Sequence, residues 1–191
     1  MEVMTLIKLH DNVPLIVIDV QSAFDDSSWG KRNNPCAERN IEKLIEYWNL
    51  NQRLVIYVKH LSKNKESLFY YKSETSEFKE MINPQPKDIV ITKSVNSAFI
   101  GTNLEEILRK NHCPNIVITG LTTNHCVETT TRMAGNLGFN PFLVSDATAT
   151  FDRQSLNGET LNAEKIHEMT LANLHEEFAI IKKTDEIIAM L

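Results

Sequence analysis

Short apolar runs alternate along the chain with longer stretches in which hydrophobic positions recur every three or four residues. The run Leu15-Ile16-Val17-Ile18-Asp19-Val20 is rich in β-branched residues and too short for a stable helix, so it predicts a buried strand. Comparable runs follow at Leu54–Val58, Ile89–Thr92, Ile116–Thr119, Phe142–Val144 and Phe178–Ile181. Between the first two, Ala37, Ile41, Leu44, Ile45 and Trp48 fall on one face of a helix, with Pro35 near its start. Thr102 and Glu105 have capping-box spacing ahead of Leu104, Ile107 and Leu108. A further helix is predicted to begin near Cys126 and to run through Val127, Thr130, Ala134 and Leu137, with Gly138 placed to end it. Another carries Ala163, Ile166, Thr170 and Leu174, and a last short one covers Asp185–Met190. Strand–helix alternation of this kind predicts an α/β fold of three layers, αβα, with a mainly parallel sheet between helices, as one domain over residues 1–191.

One stretch breaks the rhythm. Residues 61–87 are polar and charged, yet they include Phe69, Tyr70 and Tyr71. A connection this long in a compact domain is either a lid or binding loop, or a solvated excursion with one short helix. The pattern leaves both open.

Composition narrows the class. The chain has 191 residues, with 20 Lys and Arg against 25 Asp and Glu, for a formal net charge of −5. That balance argues against a general nucleic-acid binder, which needs a basic field. No apolar run of about 18 residues is present to span a bilayer. Residues 1–18 lack the n-region and cleavage site of a signal peptide, so a cytoplasmic location is expected. Cys36, Cys113 and Cys126 are widely spaced and form no CxxC, which fits reduced thiols better than a disulfide scaffold.

In an open parallel sheet, ligands bind beyond the carboxyl ends of the strands. Three reactive side chains end or follow the apolar runs: Asp19 in the first, Lys93 directly after Ile89–Thr92, and Cys126 after Ile116–Thr119 at a predicted helix start. Their chemistry is complementary. A thiol with an ordinary pKa near ~8.5 needs activation; a carboxylate can take its proton, and a lysine and a helix N-terminus stabilise the thiolate. There is no GxSxG elbow, no GxGxxG and no GxxxxGK[ST], so serine-elbow, dinucleotide and P-loop readings fail.

Asp19-Val20-Gln21 with Phe24, Lys93 with Asn96-Ser97-Ala98-Phe99, Gly120-Leu121-Thr122-Thr123-Asn124-His125-Cys126-Val127 with Thr130, and Gly138 with Ser145-Asp146-Ala147-Thr148 together resemble the isochorismatase-like cysteine hydrolases. That family includes nicotinamidases and N-carbamoylsarcosine, ureidoacrylate and biuret amidohydrolases. The resemblance runs from about Pro14 to about Lys182. It implies a six-stranded parallel sheet in the order 3-2-1-4-5-6, a catalytic triad of Asp19, Lys93 and Cys126, and a cis peptide at Leu121–Thr122. It also implies an oxyanion hole from the N–H groups of Thr122 and Cys126, and an assembly of two or four copies. The chain departs from the nicotinamidase pattern, in which an Asp-x-His pair and a further His hold a divalent metal: here Tyr57-Val58-Lys59-His60 has no Asp two before His60. No metal and no other cofactor is therefore expected.

The implied reaction is hydrolysis of a C–N bond in a small amide or ureido compound through a thioester. The alternatives are vinyl-ether hydrolysis of the isochorismatase type and a non-catalytic interaction protein that kept the fold. Neither a nucleic acid nor a membrane is expected as partner. Gln21, Phe24, Trp29, His60, Phe99, Asn124 and Phe151 are candidate pocket residues, each with an alternative in core packing or loop hydrogen bonding. His167 and His175 lie on one helical face without a third ligand at metal spacing, and are read as helix-surface or interface residues. Cys36 and Cys113 are read as structural.

Overall fold

The computed structural model describes residues 8–10 and 12–191; of the expected domain, residues 1–7 and 11 lie outside the described residues. Strands β1 (Leu15–Ile18), β2 (Val55–His60), β3 (Ile89–Lys93), β4 (Asn115–Leu121) and β5 (Asn140–Ala149) join β8 (Ile180–Lys182) in one sheet. Its order is β3-β2-β1-β4-β5-β8, with every neighbouring pair parallel. The expected strand order holds. Its last strand is numbered eighth because a short antiparallel ribbon, β6 (Arg153–Gln154) with β7 (Thr160–Leu161), precedes it.

Alternation along β1 shows why both faces need cover. Leu15 and Val17 point into a cluster with Ile41, Leu44 and Trp48 of α1 (Ala37–Leu50) and Ile187 of α5 (Thr184–Ala189). Ile16 and Ile18 point the other way, against Leu104 and Leu108 of α2 (Leu104–Lys110), Ala134 of α3 (Glu128–Asn136) and Leu174 of α4 (Ala163–Leu174). A central strand buried on both faces is the parallel-sheet solution. Among the described residues no helix is long and apolar enough to cross a membrane.

Three local expectations change. Thr102 forms no capping box: Asn103 is the α2 cap residue, while the Thr102 hydroxyl donates to the Ala98 carbonyl at 2.5 Å and accepts from the Leu104 N–H. Glu105 pairs instead with Arg109 one turn on. The helix at Cys126 opens with a π-helical turn, Thr123–Val127, before α3 begins; Gly138, at φ 83°, follows its C-terminal end. β5 runs well past Val144 through Ser145 and Asp146, because these polar residues find partners. Asp146 accepts from the Thr184 N–H and hydroxyl, and the Ser145 carbonyl accepts from Asn34.

The 61–87 segment holds one short 3-10 turn, Glu74–Ser76, and is clamped against the loop after β1. Gln21 bridges to Phe78, the Ser22 N–H donates to the Glu77 carbonyl, and the Lys79 N–H donates to the Val20 carbonyl. The buried Lys79 ammonium also pairs with Glu38 at 2.8 Å and Asp25 at 2.5 Å, and Arg32 grips Glu38 with two further bonds.

Candidate active site

Strand ends bring Asp19, Lys93 and Cys126 together. Asp19 directly follows β1 with φ 51°, a left-handed turn that Asp tolerates better than most residues. Its N–H donates to the Val58 carbonyl, which ties the turn to β2. Lys93 is the last residue of β3 and lies in register with His60, the last of β2. Behind the Cys126 turn, β4 passes so close to β1 that a Cβ on Gly120 would lie 2.0 Å from the Ile18 carbonyl oxygen. Only glycine permits that approach, which sets the height of the Cys126 turn relative to Asp19. The Leu121–Thr122 peptide bond is cis.

The pair at the floor is sealed from water, with the side chains of Lys93 and Asp19 at 0% and 1% exposure. Lys93 Nζ donates to Asp19 Oδ2 at 2.7 Å, to the Val95 carbonyl at 3.1 Å, and to His60 Nδ1 at 3.2 Å. An ammonium has three protons and no lone pair, so all its donors are engaged and His60 Nδ1 must accept. The other carboxyl oxygen, Asp19 Oδ1, is buried with no hydrogen-bond partner. A carboxyl oxygen of Asp19, a ring nitrogen of His60 and Cys126 Sγ all lie within 4.8 Å of one another. The carboxyl thus keeps one unoccupied acceptor oxygen in the same small cluster as the thiol.

Burial dominates the electrostatics. It raises the Asp19 pKa, against the opposing charge and hydrogen bond of Lys93. Burial, followed by the Asp19 charge, pushes the Cys126 thiol up to about 12, again with Lys93 opposing. Burial and then the Lys93 charge bring His60 down to about 4, so its ring is neutral at neutral pH. At rest, therefore, Cys126 holds its proton. It is not a preformed thiolate, as a helix start and a lysine alone would favour.

Above the floor lies a cavity of about 220 Å³ lined by Asp19, Thr122 and Cys126 below, and by Phe24, Trp29, His60, Phe69, Asn96, His125 and Arg153 around. Phe24 packs edge-on against Phe69 at 5.1 Å and tilted against Trp29 at 5.0 Å between ring centroids. Other expected pocket residues are engaged elsewhere. Phe99 lies in the core, stacked on Phe139. The Gln21 amide is buried, holding the His60 N–H and carbonyl together with the Ser76 carbonyl. Asn124 accepts from the Thr150 hydroxyl, and Phe151 backs the wall by stacking on Phe24 and Trp29.

His167 is a correction: it is buried, not on the helix surface, and its Nδ1 lies 2.9 Å from Thr123 Oγ1 at the head of the Cys126 turn. His175 is exposed at the end of α4. Of the remaining thiols, Cys113 is buried and Cys36 is exposed at the start of α1. Phe69, Asn96, His125 and Arg153 are not among the candidate pocket residues, although Asn96 and His125 lie in the motifs that carry the resemblance and Phe69 lies in the 61–87 stretch, for which a binding loop is one of the two readings; none stands on a periodic segment that would mark its side chain.

Among the described residues, Asp19, His60 and Cys126 are the one group spaced to hold a metal ion. They fit one poorly. The Lys93 ammonium already holds Asp19 Oδ2 and His60 Nδ1, so a cation on the remaining atoms would sit against a buried like charge.

The isochorismatase domain model matches residues 14–186. Isochorismatase family protein YrdC of Bacillus subtilis is 51% identical over 180 residues, 94% of this chain and 96% of the relative. An isochorismatase-family structure from Chromobacterium violaceum superposes with a TM-score of 0.93 at 38% identity, covering 96% of this chain and 95% of that one. Ureidoacrylate amidohydrolase RutB of Rhizobium rhizogenes is 30% identical over 108 residues, 56% of this chain and 40% of the relative. With the match spanning nearly the whole chain in sequence and in fold, the protein belongs to the isochorismatase family and is a hydrolase of that family.

Proposed function

We propose that this hydrolase cleaves a C–N bond of a small amide or ureido compound through a Cys126 thioester, without a metal, using Asp19 as the proton carrier and Lys93 as its partner. One observation carries the reading: Asp19 Oδ1 is buried and unpartnered while Oδ2 is fixed by Lys93, and a carboxyl oxygen of Asp19 lies within 4.8 Å of Cys126 Sγ. As Sγ attacks the carbonyl carbon, its proton passes to Asp19 Oδ1. The Lys93 ammonium holds the carboxyl in place and offsets negative charge at the sulfur. The oxyanion accepts from the N–H groups of Thr122 and Cys126, a pair of donors of the kind whose single loss costs about 10²–10³ in rate.

Asp19 then delivers its proton to the departing nitrogen as the C–N bond breaks, leaving ammonia or an amine and the thioester. Water adds to the thioester with Asp19 again taking a proton, and collapse returns that proton to Sγ with release of the acid. A base that later serves as acid is best placed when its pKa is drawn toward the working pH, the direction in which burial moves Asp19. The amidohydrolase name of the RutB relative supports the same bond type.

The test is incubation with a panel of primary amides and ureido compounds, reading ammonia release and the mass of the intact protein. A Cys126 acyl adduct and ammonia release, both absent in Cys126→Ala, are expected. Turnover retained in Cys126→Ala would overturn the thioester. Turnover confined to a vinyl ether would favour the isochorismatase-type reaction, and no turnover of either class would favour the interaction protein.

A further inference from the structure

Lys93 has more acceptors around it than its ion pair requires. Asp19 Oδ2 and the Val95 carbonyl take two of the ammonium protons, and His60 Nδ1 takes the third at 3.2 Å. Without that ring nitrogen, the third proton would lie in a floor sealed from solvent, where the side chains of Lys93 and Asp19 are 0% and 1% exposed. A buried donor left without a partner is costly, and it turns to whatever acceptor is at hand. Here that acceptor is Asp19 Oδ1, buried and unpartnered on the same carboxyl carbon as the oxygen Lys93 already holds.

His60 is held to the contact by its surroundings. It ends β2 in register with Lys93 at the end of β3. Gln21, itself fully buried, donates to the His60 carbonyl and accepts from the His60 N–H, which fixes the backbone from which the ring projects. The ring packs edge-on against Phe69, with centroids 5.3 Å apart. A proton on Nδ1 would face the ammonium, and burial followed by the Lys93 charge brings the ring down to about 4.

We infer that His60 is a positioning residue that acts through Lys93: by accepting the third ammonium proton, its Nδ1 leaves Asp19 Oδ1 free for the proton of the Cys126 thiol. The inference rests on the proposed hydrolysis, in which Oδ1 receives that proton. A carboxylate held through both oxygens by the ammonium is a weaker base; one held through Oδ2 alone keeps its basicity and a free lone pair. The groups around Asp19 are Lys93 from β3, His60 from β2 and Cys126 from the turn after β4, with His125 and Arg153 elsewhere on the cavity lining. Substitution at position 60 alters one of these and leaves the charges of the others in place.

His60→Asn and His60→Phe separate this role from every other that the ring could have. The asparagine oxygen stands where Nδ1 stands and can accept from Lys93, whereas a phenylalanine ring fills the space and accepts nothing. Both variants lose Nε2 and the ring's own titration, so neither enters the comparison. Alkylation of Cys126 by iodoacetamide, read as the mass of its peptide across pH, needs no substrate. In His60→Phe the plateau rate should fall ~10-fold below that of His60→Asn, and the acid limb should move down by about one pH unit, because the added ammonium bond favours the charged carboxylate. Burial by the apolar ring alone would push that limb upward. Turnover, read as ammonia release, should show the same lowered plateau and the same downward shift in kcat. His60→Leu, smaller and equally without an acceptor, should reproduce the sign and covers a poor fit of the larger ring. A merely structural histidine would lower the melting temperature in these variants and leave the limb unmoved. Coincident acid limbs in His60→Asn and His60→Phe, or an upward shift in His60→Phe, would overturn the positioning role; ammonia release that still depends on Cys126 would then leave the hydrolytic reading standing. The downward shift in alkylation, with no ammonia release from any amide, would sustain the positioning role and overturn the hydrolysis.

Discussion

The floor and the wall of the cavity are built on opposite plans. The floor takes one residue from each of three strand ends or the turn that follows, and buries charge there with every ammonium proton engaged. The wall takes Phe24 and Trp29 from consecutive 3-10 turns, Phe69 from the 61–87 segment and Arg153 from a two-stranded ribbon. Sheet register fixes the floor, because moving Asp19 or Lys93 means moving β1 or β3 in the core. The wall rings pack in a small cluster of their own, Phe24 and Phe151 with Leu121 and Ala149 and with Trp29 and Phe69 against them, on connections outside the sheet. On the proposed function, chemistry would fall to groups fixed by sheet register and selectivity to groups carried by the connections.

The sharpest way to break this division is Cys126→Ala. A loss of at least ~10⁴ in turnover is expected, with the melting temperature little changed, since a half-buried thiol gives way to a smaller apolar group. Residual activity within tenfold of the parent protein would remove the floor from the chemistry altogether.

Lys93→Met comes next, because it strands a buried carboxylate. Breaking a buried pair by removing one partner costs about 3–5 kcal/mol, so a large fall in melting temperature is expected. Loss of the cation also lets burial raise Asp19 and Cys126 further, since Lys93 is the group that opposes it at both. Turnover should drop ~10²-fold at neutral pH and recover partly as pH rises and the carboxyl ionises. Asp19→Asn has no acceptor to restore and should not recover. Superimposable pH profiles for the two variants would contradict the assignment of roles.

How much of this the sequence revealed follows the same division. Asp19, Lys93 and Cys126 could be located because strand periodicity marks strand ends, and strand ends in a parallel sheet share a rim. The wall has no period. Phe69 lies in a stretch whose only regular element is Glu74–Ser76, and its position depends on Gln21 and Lys79 clamps distant in sequence. Phe99 and Phe69 are chemically alike; one stacks on Phe139 in the core and the other lines the cavity, a difference made by tertiary packing alone. The misread character of His167 has the same origin: helical spacing gives its face, but only the π turn of Thr123 shows that the face is buried.

Stability against pH distinguishes floor groups from wall groups more gently. His60 is depressed from 6.5 to about 4 in the folded state, so its contribution is present above about 6.5 and lost as pH falls toward 4. Cys126 is raised from 9.0 to about 12, so its contribution is present below about 9 and lost as pH rises toward 12. Melting temperature should therefore decline on both flanks. His60→Gln should make the acid flank shallower, with His125 and His167 still depressed by burial, and Cys126→Ala should make the alkaline one shallower, with Tyr57 still raised, each without altering the other. A variant that flattened neither flank would mean its group does not titrate differently on folding.

The smallest kinetic effect is expected where two phenylalanines are exchanged for smaller residues in parallel. Phe69→Ala removes a ring that is half-buried and packs on Phe24 and His60 at the cavity edge. It should raise KM several-fold with kcat within about threefold of the parent, because the reacting groups on the floor stay in place. Phe99→Leu acts behind the sheet rim, where the ring is 9% exposed and stacked on Phe139 at 5.9 Å. A partial loss of buried apolar volume there costs on the order of 1–2 kcal/mol of stability, and neither KM nor kcat should move beyond experimental scatter. Measuring both variants on one substrate, with melting curves alongside, sets wall against core directly. A KM effect in Phe99→Leu matching that of Phe69→Ala would show that the core transmits to the cavity, and would erase the separation between a rigid floor and an exchangeable wall.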